Sequence, residues 1–225
     1  MPARAGRRRQ HDPQPLCVEA ERSALADSLA AVGPQAPTAC GDWTAFDLAA
    51  HVVAAERAAG VLTFCVRTLA ARGVQFSPRP EVAHWVIRRQ RRVGYHALIA
   101  RLREPSPRLL LAPKMVTFSL FEVWTHHDDL ATANGLAHAV PEHLAEVIPW
   151  LVRYQTQRLP TTRLVMRTTE NHEWTFGPDT GLAAIVSAPT ADFVRCLAGR
   201  NPHTMLNIQA ETALAAQIHA FVGRI

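Results

Sequence analysis

Residues 115–134 read MVTFSLFEVWTHHDDLATAN. On a helical wheel of about 100° per residue, His126 falls about 40° from Glu122, and Ser119 and Asp129 lie beside them. Most of the remaining positions are apolar, which is typical of a buried helix. The stretch therefore predicts a buried helix with one narrow polar stripe.

The stripe contains a pair of side chains that can bind one metal ion. Residues four apart on a helix have Cβ atoms about 5–6 Å apart, so Glu122 and His126 can each approach an ion to about 2.0–2.2 Å. A buried carboxylate beside an imidazole is unfavourable unless a metal or a charge partner satisfies it. A Glu–His hydrogen bond, or a stripe that faces solvent, remains the alternative.

A second histidine lies far upstream on another predicted helix. Thr44, with Asp47 three residues later, is typical of a helix start, and His51 follows two turns into that helix. Its face consists largely of alanines, which either admit a close helix or leave space for a ligand. Such a histidine is either a core residue or a ligand. With Glu122 and His126 it makes a three-ligand set for zinc or another divalent first-row metal, with a coordination position left open for catalysis.

Composition limits the class of protein. The chain has 225 residues, 48% of them hydrophobic, enough for one large or two small domains. No apolar run approaches the roughly 18 residues of a membrane span, and no apolar segment follows the basic start, so we expect a cytoplasmic protein without a membrane partner. The cysteines form no CxxC pair, which predicts reduced thiols and excludes a cysteine-rich zinc site; they are Cys17, Cys40, Cys65 and Cys196.

The basic charge raises the question of nucleic acid. The net charge is +5, with arginine clusters at residues 7–9 and 88–92. No recognition motif accompanies them, so a basic tail over residues 1–13 and a solvated helix surface explain the charge better. Nucleic-acid association remains a weaker hypothesis.

The order of patterns predicts an α+β protein. Helical periodicity covers residues 16–32, 44–72, 80–103, 115–134 and 141–158, and four long helices suit an antiparallel bundle. After residue 160, strand patterns at 163–169 and 173–176 predict a hairpin, 184–187 and 205–208 predict further strands, and 189–198 and 211–222 predict helices. We therefore expect a disordered tail at 1–13, a helical bundle at 14–158 and a small α+β domain at 159–225.

Two motifs resemble a known family. Residues 43–51, WTAFDLAAH, resemble the W-T-x-x-D-L-x-x-H motif of the mycothiol-dependent maleylpyruvate isomerase family, a branch of the DinB/YfiT-like metal-binding four-helix bundles. Residues 122–135, EVWTHHDDLATANG, resemble the family's E-x-x-x-H-x-x-D-L-x-x-A-x-G motif, and residues 163–200 look like its small C-terminal domain.

The resemblance implies a ligand set and a chemistry. It implies that His51, Glu122 and His126 bind zinc, and that the metal activates the thiol of mycothiol, the small thiol of actinobacteria. It also implies that Arg200 serves an anionic substrate, although a residue exposed after the helix stop at Gly199 is an equal alternative.

Other polar residues of the second motif have weaker assignments. Asp129 is expected to support a ligand histidine or the helix rather than bind metal. His127 and Asp128 lie off the stripe and are expected to be bystanders.

The leading hypothesis is therefore a zinc-dependent, mycothiol-using S-transferase or isomerase. Its substrate would be a small electrophile that can carry a carboxylate. The main alternative is a non-catalytic DinB-like metal-binding protein for ligand sensing or stress response. The sequence identifies neither the electrophile nor the oligomeric state.

Overall fold

The computed structural model describes residues 13–58, 80–113, 115–155, 161–200 and 206–222. Three predictions lie wholly or largely outside these ranges: the basic tail at 1–13, the part of the helix 44–72 beyond residue 58, and the domain boundary near residue 158.

The described residues between 13 and 155 are mainly helical. The helices are α1 (Pro13–Val32), α2 (Ala45–Ala58), α3 (Pro80–Arg91), α4 (Tyr95–Arg103), α5 (Val116–Asn134) and α6 (Val147–Gln155), with a 3-10 turn at Glu142–Glu146. Helix α1 packs on α4 and α5, and α2 packs on α3, α4 and α5. Their shared core includes Leu25, Leu48, Leu98 and Leu130, each with no exposed surface.

Helix α2 begins where the sequence predicts. The Asp47 backbone N–H donates to Thr44 Oγ1 at 3.3 Å, and the Thr44 backbone N–H donates to Asp47 Oδ2 at 3.0 Å. This reciprocal cap satisfies backbone donors that have no partner within the helix. It fixes the start of α2, and therefore the turn on which His51 lies.

The single helix predicted over residues 80–103 is wrong. The chain is helical to Arg91, turns, and resumes at Tyr95. Gly94 has φ 93°, a left-handed conformation that a residue with a Cβ rarely adopts. The predicted helix over 141–158 likewise starts as a 3-10 turn before α6.

The C-terminal part forms a four-stranded sheet with two helices. Its elements are β1 (Thr162–Thr168), β2 (Glu173–Phe176), β3 (Leu182–Ala188), α7 (Thr190–Leu197), β4 (Asn207–Gln209) and α8 (Thr212–Val222). The strand order is β2-β1-β3-β4, with the predicted antiparallel hairpin β1–β2, a parallel pair β1–β3 and an antiparallel pair β3–β4. The α+β class is confirmed.

One face of the sheet packs toward the helices. Leu164 and Met166 of β1 are buried, with Val186 of β3, in a core that also contains Phe121 and Trp124 of α5. Helix α5 therefore contributes to both main cores, because its Val123 and Leu130 belong to the core of the helical part. Among the described helices, none has the length and apolar character needed to cross a bilayer.

Candidate metal centre

The three predicted ligands come together between α2 and α5. Donor atoms of His51, Glu122 and His126 all lie within 4.8 Å of one another. His126 Nε2 lies 3.4 Å from Glu122 Oε2, and the rings of His51 and His126 have centroids 4.8 Å apart. Two imidazoles and a carboxylate are a donor set that suits zinc, so the residues fit the expected ion.

The polar stripe faces the protein interior. His126 is 7% exposed, and the side chain of Glu122 is 20% exposed. The ring of Trp43 lies 4.9 Å from that of His51 and 6.3 Å from that of His126, measured between centroids. The tryptophan of the first motif therefore covers both histidines and limits their contact with water.

The second ring nitrogen of His126 meets a carboxylate. Its Nδ1 atom lies 3.3 Å from Asp129 Oδ2, and Asp129 is only 2% exposed. A metal-bound histidine commonly gives its other nitrogen to a carboxylate, which fixes the ring orientation. Asp129 is therefore suited to hold His126 so that Nε2 faces Glu122.

Arg200 lies beside this carboxylate. Its Nε donates to Asp129 Oδ1 at 3.1 Å and its Nη2 donates to Asp129 Oδ2 at 3.0 Å, while Nη1 donates to the carbonyl of Ala198. The side chain is 33% exposed. The sequence did not predict this ion pair, which connects Arg200, three residues after the end of α7, to the helix that carries two of the candidate ligands.

Cys40 is a further neighbour that sequence reasoning missed. Its Sγ donates to Asp129 Oδ2 at 2.8 Å and lies 3.6 Å from His126 Nδ1. Cys40, His126 and Asp129 thus form a second possible ligand set that shares His126 with the first. The one available signal was its position three residues before Trp43, in the segment that leads into α2.

The charged groups of the site shift one another's pKa. Burial alone would raise the pKa of Glu122, but hydrogen bonding and attraction from His126, with His51 and Arg200, bring it below its usual value. Burial alone would lower the pKa of His126, but Asp129, Cys40 and Glu122 hold it well above its usual value. The ionised carboxylates of the site therefore favour a positive charge between them. A divalent ion would supply that charge in place of the proton on His126.

A cavity adjoins Glu122. It has a volume of about 30 Å³, and its walls include Val52 and Ala55 of α2, Ser106 and Glu56. The Ser106 hydroxyl has no hydrogen-bond partner among the residues that the structure describes. The cavity therefore adjoins Glu122 and Ala55 of the alanine face rather than His51, and it has one free polar group in its wall.

His127 and Asp128 are not bystanders. They are 3% and 5% exposed, and both take part in a second buried network that includes Glu21, His138 and Arg195. The wheel placed them off the ligand stripe correctly, but it did not show what else they would meet.

Two solved structures share this fold. A crystal structure of the mycothiol-dependent maleylpyruvate isomerase aligns with a TM-score of 0.59 and 19% identity, covering 89% of this chain and 94% of that chain. The structure of a histidine-to-alanine mutant of that enzyme aligns with a TM-score of 0.57 and 18% identity over the same shares. No family profile and no curated protein sequence matches the chain. The resemblance seen in the sequence is confirmed at the level of the fold.

Proposed function

We propose that this chain is a zinc-dependent, mycothiol-using S-transferase or isomerase that acts on a small electrophile. The convergence of His51 from α2 with Glu122 and His126 from α5, beside a cavity, is the observation that carries the proposal. The fold shared with a mycothiol-dependent isomerase supports it. In this proposal residues 14–158 form a DinB-like four-helix bundle and residues 159–225 form a small α+β domain.

The proposed chemistry is thiol activation. A bound divalent metal lowers the pKa of a thiol, so that the nucleophilic thiolate exists at neutral pH. His51, Glu122 and His126 would hold the ion. Asp129 would orient His126 through Nδ1, and the Trp43 ring would restrict water at the two histidines.

Arg200 has a proposed part in substrate binding. Guanidinium groups have five N–H donors, and the contacts to Asp129 and Ala198 leave part of the Nη1 group for another acceptor. A substrate carboxylate is such an acceptor. Arg200 would therefore stabilise Asp129 and attract an acidic electrophile at the same time.

The cavity beside Glu122 would hold only a small group of the substrate, because its volume is about 30 Å³. Most of its described lining is apolar, which suits a small apolar group, and the free hydroxyl of Ser106 can donate to one substrate oxygen.

Metal analysis is the first test of the ligand set. His51→Ala and Glu122→Ala should strongly lower metal content relative to the wild type, because a three-ligand site that loses one ligand binds its ion poorly. His96→Ala, an exposed histidine on α4, is the matched control and should leave the metal content unchanged. Full occupancy of this site in His51→Ala would contradict the assignment.

Thiol conjugation is the second test. The protein should transfer mycothiol to a reactive electrophile, and mycothiol should perturb the visible spectrum of the cobalt-substituted protein. Metal binding without a spectral response or conjugation would instead favour the non-catalytic, metal-binding alternative.

A further inference from the structure

A second histidine–carboxylate cluster lies on the other side of α5. Glu21 of α1 lies within hydrogen-bond distance of two histidines. Its Oε1 is 2.6 Å from His127 Nδ1 and 2.7 Å from His138 Nε2. All three donor atoms lie within 4.8 Å of one another. The side chains of Glu21 and His138 are each 6% exposed, and that of His127 is 4% exposed.

Both histidines have a partner for the opposite ring nitrogen. His127 Nε2 lies 2.8 Å from Ser28 Oγ, and His138 Nδ1 lies 3.2 Å from Asp128 Oδ1. Metal-bound histidines characteristically have such an outer partner, which fixes the tautomer and points the remaining nitrogen at the ion. The cluster therefore has the inner and the outer groups of a metal site.

The buried carboxylates of the cluster favour a cation between them. Asp128 pairs with the guanidinium of Arg195, which also pairs with Asp192, whereas Glu21 forms no ion pair with an arginine among the described residues. Arg195 donates two hydrogen bonds of 2.7 Å to the carboxylate of Asp128. The carboxylate of Glu21 is left with the two imidazoles as its partners.

We propose that Glu21, His127 and His138 bind a second divalent metal ion, of the class that prefers imidazole and carboxylate ligands, such as zinc. Ligand atoms arranged tetrahedrally about 2.0–2.1 Å from zinc are about 3.3–3.4 Å apart. The observed contacts are 2.6 and 2.7 Å, so the rings need to separate from the carboxylate by less than about 1 Å.

The second ion has a structural role. Its ligands come from α1, from α5 and from the segment after α5, so the ion ties these three parts of the chain together. Trp124 packs over the ring of His138, with centroids 5.2 Å apart and planes 23° apart, and its Nε1 donates to the carbonyl of Ala139. These contacts shield the cluster, as expected for a site that stabilises the fold rather than one that admits substrate.

The experiment must separate this site from the first. His126→Ala is the appropriate background, because both other ligand sets contain His126. In this variant one zinc or cobalt ion per chain should remain after dialysis, against two in the wild type. Adding Glu21→Gln should remove that ion, whereas adding Glu142→Gln, an exposed glutamate, should not.

Two further measurements distinguish a metal site from a purely hydrogen-bonded cluster. Ser28→Ala removes only the outer partner of His127, and it should weaken cobalt binding to the His126→Ala protein by about 10-fold or more. Zinc X-ray absorption of the His126→Ala protein should show two imidazole ligands and a carboxylate. Both measurements apply even when Glu21→Gln does not fold.

The outcomes are separable from those of the proposed function. A folded His126→Ala protein that binds no ion, or an ion that Glu21→Gln leaves in place, would overturn the second site. One ion that is lost in Glu21→Gln but retained in His126→Ala would instead support the second site and contradict the proposed thiol site.

Discussion

Replacement of Arg200 by alanine tests the link between α7 and the candidate metal centre. The substitution removes the two hydrogen bonds of 3.0 and 3.1 Å that the guanidinium donates to Asp129. Asp129 is only 2% exposed, so water cannot readily replace the lost partner. We therefore expect the substitution to lower stability as well as turnover of an acidic substrate.

The expected loss follows from the burial of the pair. Removing one partner of a fully buried ion pair costs about 3–5 kcal/mol. The Arg200 side chain is 33% exposed, and Cys40 and His126 remain next to Asp129, so we expect about 2–3 kcal/mol. For a chain of this size, that corresponds to a fall of roughly 4–12 °C in Tm.

Urea unfolding of the wild type and three variants measures this loss. Arg103→Ala is the control, because Arg103 and Asp27 form an exposed pair, with side chains 50% and 67% exposed, and its loss should cost less than about 1 kcal/mol. Arg200→Lys should fall between Arg200→Ala and the wild type, since lysine keeps the charge but not the two-pronged geometry. Equal unfolding midpoints for Arg200→Ala and Arg103→Ala would refute the reasoning.

Arg200→Ala also tests the proposed substrate role. The variant should keep its metal, because Arg200 is not a proposed ligand, yet turn over a carboxylate-bearing electrophile more slowly. An electrophile without a carboxylate should lose less activity. Equal losses for the two substrates would remove Arg200 from substrate recognition and leave it only as a partner of Asp129.

Two other predictions concern the start of α2 and the turn after β2. Asp47→Ala should lower the free energy of unfolding by about 1–2 kcal/mol at pH 7, because the carboxylate caps α2 and pairs with Arg91. Burial alone would raise the pKa of Asp47, but Thr44 and Arg91 bring it below its usual value. Its contribution is therefore present at neutral pH, begins to fall near the pKa of the unfolded chain and is lost as pH falls through the lower folded pKa, so the difference between the two proteins in urea unfolding should be smaller at pH 3 than at pH 7. Gly177→Ala should cost more than about 2 kcal/mol by thermal unfolding, because a Cβ at this φ of +83° would lie 1.9 Å from the carbonyl oxygen of Thr162. Gly135→Ala, where φ is +63° and a Cβ would meet nothing within 4 Å, should cost only about 1–2 kcal/mol.

Local patterns predicted the helices and the hairpin well. The helix predicted at 115–134 is observed at Val116–Asn134, and the strand predicted at 173–176 is observed there. The pattern of α5 predicts a helix because most of its positions are buried, and that of β2 predicts a strand because its residues alternate in exposure. The break at Gly94 was missed because the apolar period continues across it, while the turn depends on one backbone angle.

Contacts between distant parts of the chain were not predictable. The parallel pair β1–β3 sets Val165 opposite Ile185, and no short-range signal specifies such a pairing. The same holds for Arg200 with Asp129, which are 71 residues apart. The wheel could group Glu122 with His126, but tertiary packing determines which groups complete their surroundings.

The side chains of four consecutive residues of α5 face two different clusters; the residues are His126, His127, Asp128 and Asp129. His126 and Asp129 belong to the first cluster with Arg200, while His127 and Asp128 belong to the second cluster, where Asp128 meets Arg195. A substitution here removes the contacts of one side chain, but inserting a single residue earlier in α5 would rotate all four side chains by about 100°. A change in the length of α5 would therefore disturb both clusters at once, whereas a substitution disturbs the cluster to which that residue belongs.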